Sequence, residues 1–243
     1  MDPFLPPGPL RVVEEPLPAP KRVVEPRKPQ PRRWWEILAV LCVAVLPDVV
    51  HAVEVVLLDW PEVSSAAQSI GLLIRSLFVS YVVLFVARAV QMPRADLGLT
   101  RPRWSDAAIG GVLCLIGVGM SMWLGSLVPG RPPSEFFMDP ETPTECVLLV
   151  VALAANAFAE ELVVRGYLIP RLEDATASLP FAIVASAGLF ASYHLYQGLG
   201  GMLLIFVTGL IYGVGFVLVR RLWPFVVAHF LWGVAASFPI GAS

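Results

Sequence analysis

The sequence predicts an all-α membrane protein, a polytopic bundle of about seven transmembrane helices with a range of about six to eight. Composition is the first reason, because 57% of the 243 residues are hydrophobic and 15% are charged. Soluble domains have a smaller apolar share, roughly 45–50%. Distribution is the second reason, since the apolar residues form stretches that meet or approach the about 20 residues that cross a bilayer.

The apolar stretches divide the chain into predicted spans and a tail. The spans are residues 35–58, 64–90, 105–128, 144–170, 178–197, 200–219 and 222–239. Residues 1–33 are rich in proline and charge, which predicts a disordered, solvated tail. The chain is therefore expected to consist of this Pro-rich tail and a transmembrane domain over residues 34–243.

Basic residues indicate how the spans are oriented. All but two of the 17 Lys and Arg residues lie in the tail or in and beside the second, fourth and sixth connections; the exceptions are Arg75 and Arg131. Lys and Arg are retained on the cytoplasmic side of short loops. We therefore expect an integral membrane protein of the cell (inner) membrane, with a cytoplasmic N-terminus.

The first two spans contain charges that require partners inside lipid. Arg75 and Asp48 lie at nearly equal distances from the tip of the first hairpin, which predicts an ion pair between them. Pro47 is expected to kink the first helix beside this pair. His51 and Glu54 continue the face of Asp48 at a spacing of three residues. That spacing leaves a metal or proton site open but favours a polar strip.

The fourth span contains two adjacent glutamates. On a helix, Glu161 and Arg165 are four residues apart and can pair on one face, whereas Glu160 points about 100° away. Asn156 lies one turn before Glu160 and is a candidate hydrogen-bond partner for its carboxylate. Buried carboxylates are costly unless they are paired, so their presence here indicates function.

Two of the three histidines lie in the last three spans. With a turn near residues 176–178, Glu160 and His194 are equally far from its centre on antiparallel helices, so they are expected at one level. This requires the fourth and fifth helices to project beyond the lipid. His229 lies about 10 Å inside the membrane, counted from the last turn.

These positions favour hydrolysis of an amide bond. A water molecule between Glu160 and His194 would face a carboxylate able to accept its proton. His229 would then donate a hydrogen bond to the developing oxyanion.

Three motifs together resemble a known family. EELVVRG at residues 160–166 resembles an EExxxR motif, FASYH at residues 190–194 resembles FxxxH, and His229 resembles the first position of HxxxN/D. Their order and spacing, over about residues 140–236, are similar to the CAAX-protease and bacteriocin-processing family, also called Abi or type II CAAX prenyl proteases.

The resemblance implies an all-helical intramembrane endopeptidase of the glutamate type. It implies that Glu160 and His194 activate water. It further implies that Glu161 and Arg165 orient groups and balance charge, and that His229 stabilises the oxyanion. One residue departs from the pattern: Gly233 stands where the family has Asn or Asp. Either Asn156 supplies the missing amide, or oxyanion stabilisation is weaker, or this member is inactive.

Two alternatives to this mechanism remain. Glu160, His194 and His229 are also a possible zinc set, although no HExxH motif aligns them on one helix. The resemblance favours a reaction without metal or other cofactor. The second alternative is a non-catalytic immunity or binding protein of the same fold. The expected partners are the lipid bilayer and a membrane-associated substrate, such as a prenylated tail, a leader or bacteriocin-like peptide, or a C-terminal sorting segment; no nucleic acid is expected.

Overall fold

A computed structural model describes residues 33–58, 63–127 and 140–238, and this part of the chain is helical without strands. Its helices are α1 Arg33–Ala44, α2 Leu46–Leu57, α3 Ser65–Ala89, α4 Trp104–Leu127, α5 Pro143–Glu161, α6 Ile169–Thr176, α7 Leu179–Ser192, α8 Gly198–Val219 and α9 Trp223–Ser237. A π-helical segment, Leu162–Leu168, joins α5 to α6, and a 3₁₀ turn, Leu195–Gln197, precedes α8. The predicted tail and Arg131 fall outside the described residues, apart from the backbone of Arg33.

The described helices confirm the predicted fold class, an all-α polytopic membrane bundle. Five helical stretches are long and apolar enough to cross a bilayer: Trp34–Leu57, Ser65–Ala89, Trp104–Trp123, Pro143–Thr176 and Leu195–Val219. Two apolar helices, α7 and α9, are shorter. Each of the seven predicted spans overlaps one of these stretches.

The first predicted span is broken beside Pro47. The helix is interrupted at Val45, and Pro47 occupies the first turn of α2, where its missing amide removes no helical hydrogen bond. The predicted ion pair between Asp48 and Arg75 is present across the hairpin. The Arg75 guanidinium also donates to the carbonyl of Ala44 at the break, at 3.4 Å. The predicted kink and ion pair are therefore both confirmed.

The fourth predicted span is one helical run over residues 143–176. It begins with a capping box between Thr142 and Glu145, and it ends where Ala177 adopts a left-handed conformation and Ser178 caps α7. The predicted turn is thus confirmed. With 34 residues the run is about 51 Å long. That length exceeds the roughly 30 Å of a bilayer core and allows the predicted projection beyond the lipid.

Helix α5 lies at the centre of the bundle. It packs against both α3 and α9, while α4 packs against α9 and α7 packs against α6 and α8. The glutamates at the end of α5 therefore have α3 and α9, which carry Arg75 and His229, as immediate neighbours.

A set of contacts joins the α3–α4 loop and the first turn of α4 to the α8–α9 turn and the start of α9, and we call it the clasp. Arg221 binds Asp106, with its Nε 2.7 Å from Oδ1. Trp223 Nε1 donates to the carbonyl of Thr100 at 2.6 Å. The carbonyl of Gly98 accepts from the amide of Leu222 at 3.0 Å. The start of α9 is thereby tied to the start of α4.

Candidate active site

The two glutamates occupy the C-terminal end of α5 in different surroundings. Glu161 lies 2.9 Å from Arg165, and neither side chain has any exposed surface. Glu160 is partly exposed. The predicted pair on one helix face is therefore confirmed, and Glu160 is the carboxylate with access to a ligand.

Arg165 belongs to the π-helical segment Leu162–Leu168, which the sequence did not predict. The widened turn is held from outside, since Ser186 Oγ on α7 donates to the carbonyl of Val164 at 2.6 Å. At Gly166, a Cβ atom would stand only 3.0 Å from the carbonyl oxygen of Leu97, so the segment packs closely on the α3–α4 loop. Single π-helical turns are often found at functional sites.

Two aromatic rings enclose the guanidinium of Arg165. Its Cζ lies 4.6 Å from the ring centroid of Phe190 and 5.3 Å from that of Tyr212. Within the described residues, Nε and Nη2 of Arg165 have no hydrogen-bond partner. Among these residues the guanidinium makes one hydrogen bond, to Glu161. The two rings therefore provide additional stabilisation for its positive charge. Sequence reasoning missed Tyr212, because one aromatic residue in the apolar α8 carries no signal.

His229 on α9 lies against both carboxylates. Its Nδ1 is 2.9 Å from Glu161 Oε1, and its Nε2 is 3.5 Å from Glu160 Oε2. Because a carboxylate oxygen accepts, Nδ1 carries a hydrogen and donates to Glu161. Nε2 is then the nitrogen on the side of Glu160. The structure thus brings together four of the five predicted site residues: Glu160, Glu161, Arg165 and His229.

His194 lies in the turn after α7, not within a helix as the span 178–197 predicted. Helix α7 ends at Ser192, so the motif histidine is carried by non-helical backbone. His194 Nδ1 lies 2.9 Å from the carbonyl of Phe190 and donates to it. In the neutral ring Nε2 is therefore the acceptor. The ring of Phe190 contacts both imidazoles, with centroids 4.9 Å from His194 and 6.1 Å from His229.

Two further sequence expectations concern amide groups. Asn156 accepts from Ser76 Oγ on α3 at 3.4 Å, and among the described residues no hydrogen bond joins it to Glu160, its candidate partner. Gly233 faces α5, where an added Cβ would lie 3.3 Å from Leu153 Cδ2. A larger residue at 233 therefore requires Leu153 to move by a few tenths of an ångström.

A small polar cavity adjoins Glu160. It is lined by Ala44, Asp48, Arg75, Val79, Ala159, Glu160, Val163 and Tyr193, and it has room for about one water molecule. Glu160 Oε2 is buried without a hydrogen-bond partner among the described residues. The pair from the first hairpin and the first motif glutamate therefore share one cavity.

No three His, Cys, Asp or Glu side chains in the described part of the chain are arranged to hold one metal ion. Glu160 and His229 are neighbours, but one nitrogen of His229 is bonded to Glu161 and one nitrogen of His194 is bonded to a backbone carbonyl. Hydrogen bonds of this kind are also usual at the second nitrogen of a metal-binding histidine.

Fold and site together define a class: a polytopic helical membrane protein with a buried centre of paired glutamates, arginine and imidazoles. Residues 142–235 match the family model of the type II CAAX prenyl endopeptidase, Rce1-like. This segment is therefore similar to the type II CAAX prenyl endopeptidases, the family that its motifs resemble. No curated protein and no solved structure matches it. The matched segment contains all five predicted site residues, whereas Asp48 and Arg75 lie outside it.

Proposed function

We propose that the protein hydrolyses a peptide bond of a membrane-associated protein or peptide, with Glu160 and His194 activating water. The observation that supports this most is the contact of His229 with both Glu160 and Glu161 in a buried setting. It provides a proton acceptor and a donor within one small site. The family description favours a prenylated C-terminal tail as substrate; a leader peptide or a sorting segment remains an alternative.

The first step is the attack of water. Water donates one hydrogen to the carboxylate of Glu160 and the other to Nε2 of His194, which accepts because Nδ1 donates to a carbonyl. As the oxygen bonds to the carbonyl carbon, one water proton moves to Glu160, and the C=O π electrons move to oxygen. A tetrahedral oxyanion results.

His229 stabilises that oxyanion. Its Nδ1 already donates to Glu161, so Nε2 donates only from the protonated ring. The carboxylates of Glu160 and Glu161 flank the ring and favour the positive charge, while Arg165 balances Glu161. Glu160 finally passes its proton to the amide nitrogen as the C–N bond breaks. With Gly233 in place of an amide side chain, His229 acts without that additional donor.

Comparing peptide termini tests the proposal. Membranes with wild-type protein or Glu160→Gln are analysed by mass spectrometry of new N- and C-termini. We expect wild-type termini that fall by about 10²–10⁴-fold in the variant, the usual contribution of a general base. Glu173→Gln is the matched control, because it makes the same change on the same helical run, and it should retain the termini.

The outcomes separate an enzyme from a binder. If Glu160→Gln yields the same termini as wild type, this glutamate does not act as proposed. If membranes with wild-type protein and with each variant contain the same peptide termini, and a membrane peptide still co-purifies with Glu160→Gln, the protein is a non-catalytic binding member of the fold.

Metal independence is part of the proposal. We expect purified protein to retain its cleavage rate after treatment with EDTA or phenanthroline, because no step proposed above uses a metal ion. Loss of cleavage that zinc restores would establish the metalloprotease instead.

A further inference from the structure

Arg75 has donors that its contacts in the bundle do not use. Both of its recorded contacts, with Asp48 and with the carbonyl of Ala44, are made through Nη2. Among the described residues, neither Nε nor Nη1 makes a further hydrogen bond, so both remain available. An arginine in the middle of a membrane span is expensive and is expected to have a use beyond one ion pair.

The cavity beside Glu160 brings those donors to the proposed catalytic centre. Arg75 and Asp48 line it from one side of the hairpin, and Glu160 and Tyr193 complete its polar lining. A buried water needs two to four polar partners, and the polar residues Asp48, Arg75 and Glu160 line a space for about one molecule. Tyr193 also connects it to the second motif, because its ring lies 4.7 Å from that of His194.

The proposed reaction lacks one element that this arrangement supplies. Glu160 and Nε2 of His194 both accept, so they fix the two hydrogens of a water molecule but not its lone pairs. A donor to one lone pair leaves the other to attack the carbonyl carbon. Among the motif residues, the guanidinium of Arg165 faces the rings of Phe190 and Tyr212, and Nε2 of His229 is assigned to the oxyanion.

We propose that Asp48 and Arg75 form a water-positioning pair, in which Arg75 donates to the water that Glu160 deprotonates. This inference rests on the proposed function. Asp48 and the carbonyl of Ala44 hold Nη2 beside the cavity that Arg75 lines. Helices outside the family-matched segment thus contribute to the reaction.

Steady-state kinetics test the pair. We expect Arg75→Gln to lower kcat by about 10²-fold, the usual effect of removing one preorganised donor, with KM changed less than about twofold. Arg75→Lys should recover most of the lost kcat. Ser76→Ala is the matched control on α3, since Ser76 is buried and bonded to Asn156, and should leave kcat within about twofold.

A double variant addresses folding. Asp48→Leu with Arg75→Leu removes both charges together, so no unpaired charge is left in the bundle and the protein should fold. Its melting temperature is measured in detergent beside kcat. We expect a folded protein with the same 10²-fold loss of kcat as Arg75→Gln.

Each result decides between defined alternatives. A folded double variant with wild-type kcat overturns the pair while leaving the proposed function intact. If Arg75→Gln raises KM and leaves kcat unchanged, the pair is also overturned and Arg75 is assigned to substrate binding. The variant would then cleave peptides with a free C-terminal carboxylate and peptides with an amidated C-terminus equally well. If wild type and Glu160→Gln produce identical termini, the proposed function and the pair fail together.

Discussion

The Glu161–Arg165 pair is completely buried, and its environment explains how two charges persist there. Removing each ion from water costs several kcal/mol, which mutual attraction repays only with good geometry and further partners. His229 supplies a hydrogen bond to the carboxylate, and the rings of Phe190 and Tyr212 face the guanidinium. The pair therefore orients His229 while keeping the site close to neutral.

Breaking that pair on one side should be costly. Arg165→Met leaves the carboxylate of Glu161 uncompensated, and we expect it to destabilise the protein by about 3–5 kcal/mol. The double variant Glu161→Gln with Arg165→Met should recover much of this stability without recovering cleavage. Thermal unfolding in detergent and peptide cleavage measure the two effects; equal stability of the single and double variants would contradict the expectation.

Position 233 offers a gain-of-function test. Gly233→Asn restores the amide of the family pattern but presses on Leu153. Combined with Leu153→Val, which provides room, we expect a kcat above that of Leu153→Val alone, because an additional donor reaches the oxyanion. No gain in kcat would mean that His229 stabilises the oxyanion sufficiently by itself.

Sequence reasoning succeeded for residues whose partners are fixed by counting. The pairs Asp48–Arg75 and Glu161–Arg165 follow from depth and from helical spacing, and both are present. The contact of Asn156 with Ser76 was not predicted, because counting residues cannot determine which neighbouring helix a helix face contacts. The catalytic roles of the five site residues stay predictions until kinetics test them.

The π-helical segment Leu162–Leu168 is the element whose geometry determines where Arg165 lies. No residue type within the segment predicts a π turn, and the contacts that hold it come from outside, from Ser186 and the backbone of Leu97. In contrast, the break in the first span was predictable, because Pro47 acts through its own backbone.

Removing the external hydrogen bond should disturb this segment. Ser186→Ala leaves the carbonyl of Val164 without its buried donor, which we expect to cost about 1–3 kcal/mol and to lower kcat through displacement of Arg165. Ser192→Ala is the control, because Ser192 Oγ bonds to a carbonyl of its own helix. Hydrogen exchange of residues 162–168 reports the loosening; unchanged exchange would contradict it.

At the scale of the molecule, the clasp depends on the backbone of Gly98. Its φ is +70°, and an added Cβ would lie 2.7 Å from Phe216 and 2.8 Å from the amide nitrogen of Leu222. We expect Gly98→Ala to destabilise the protein by about 2 kcal/mol or more. Gly111→Ala on α4 is the control, because nothing lies within 4 Å of its added Cβ, and its melting temperature should stay equal or rise.

The distribution of basic residues predicts the orientation of the protein in the membrane. Single cysteines introduced near residue 20 and residue 221, with the native cysteines removed, should be protected from a membrane-impermeant maleimide in intact cells and labelled after lysis. Labelling of either position in intact cells would contradict the predicted orientation or the predicted number of spans.

Two helices of the bundle are shorter than the lipid that surrounds them. Helix α7 has 14 residues and α9 has 15, hence about 21–23 Å each, against roughly 30 Å of hydrocarbon. Hydrophobic mismatch of this size thins the adjacent leaflets or draws headgroups inward. The face that presents His229 should thus create its own dimple in the membrane, and turnover in vesicles should fall as the acyl chains are lengthened.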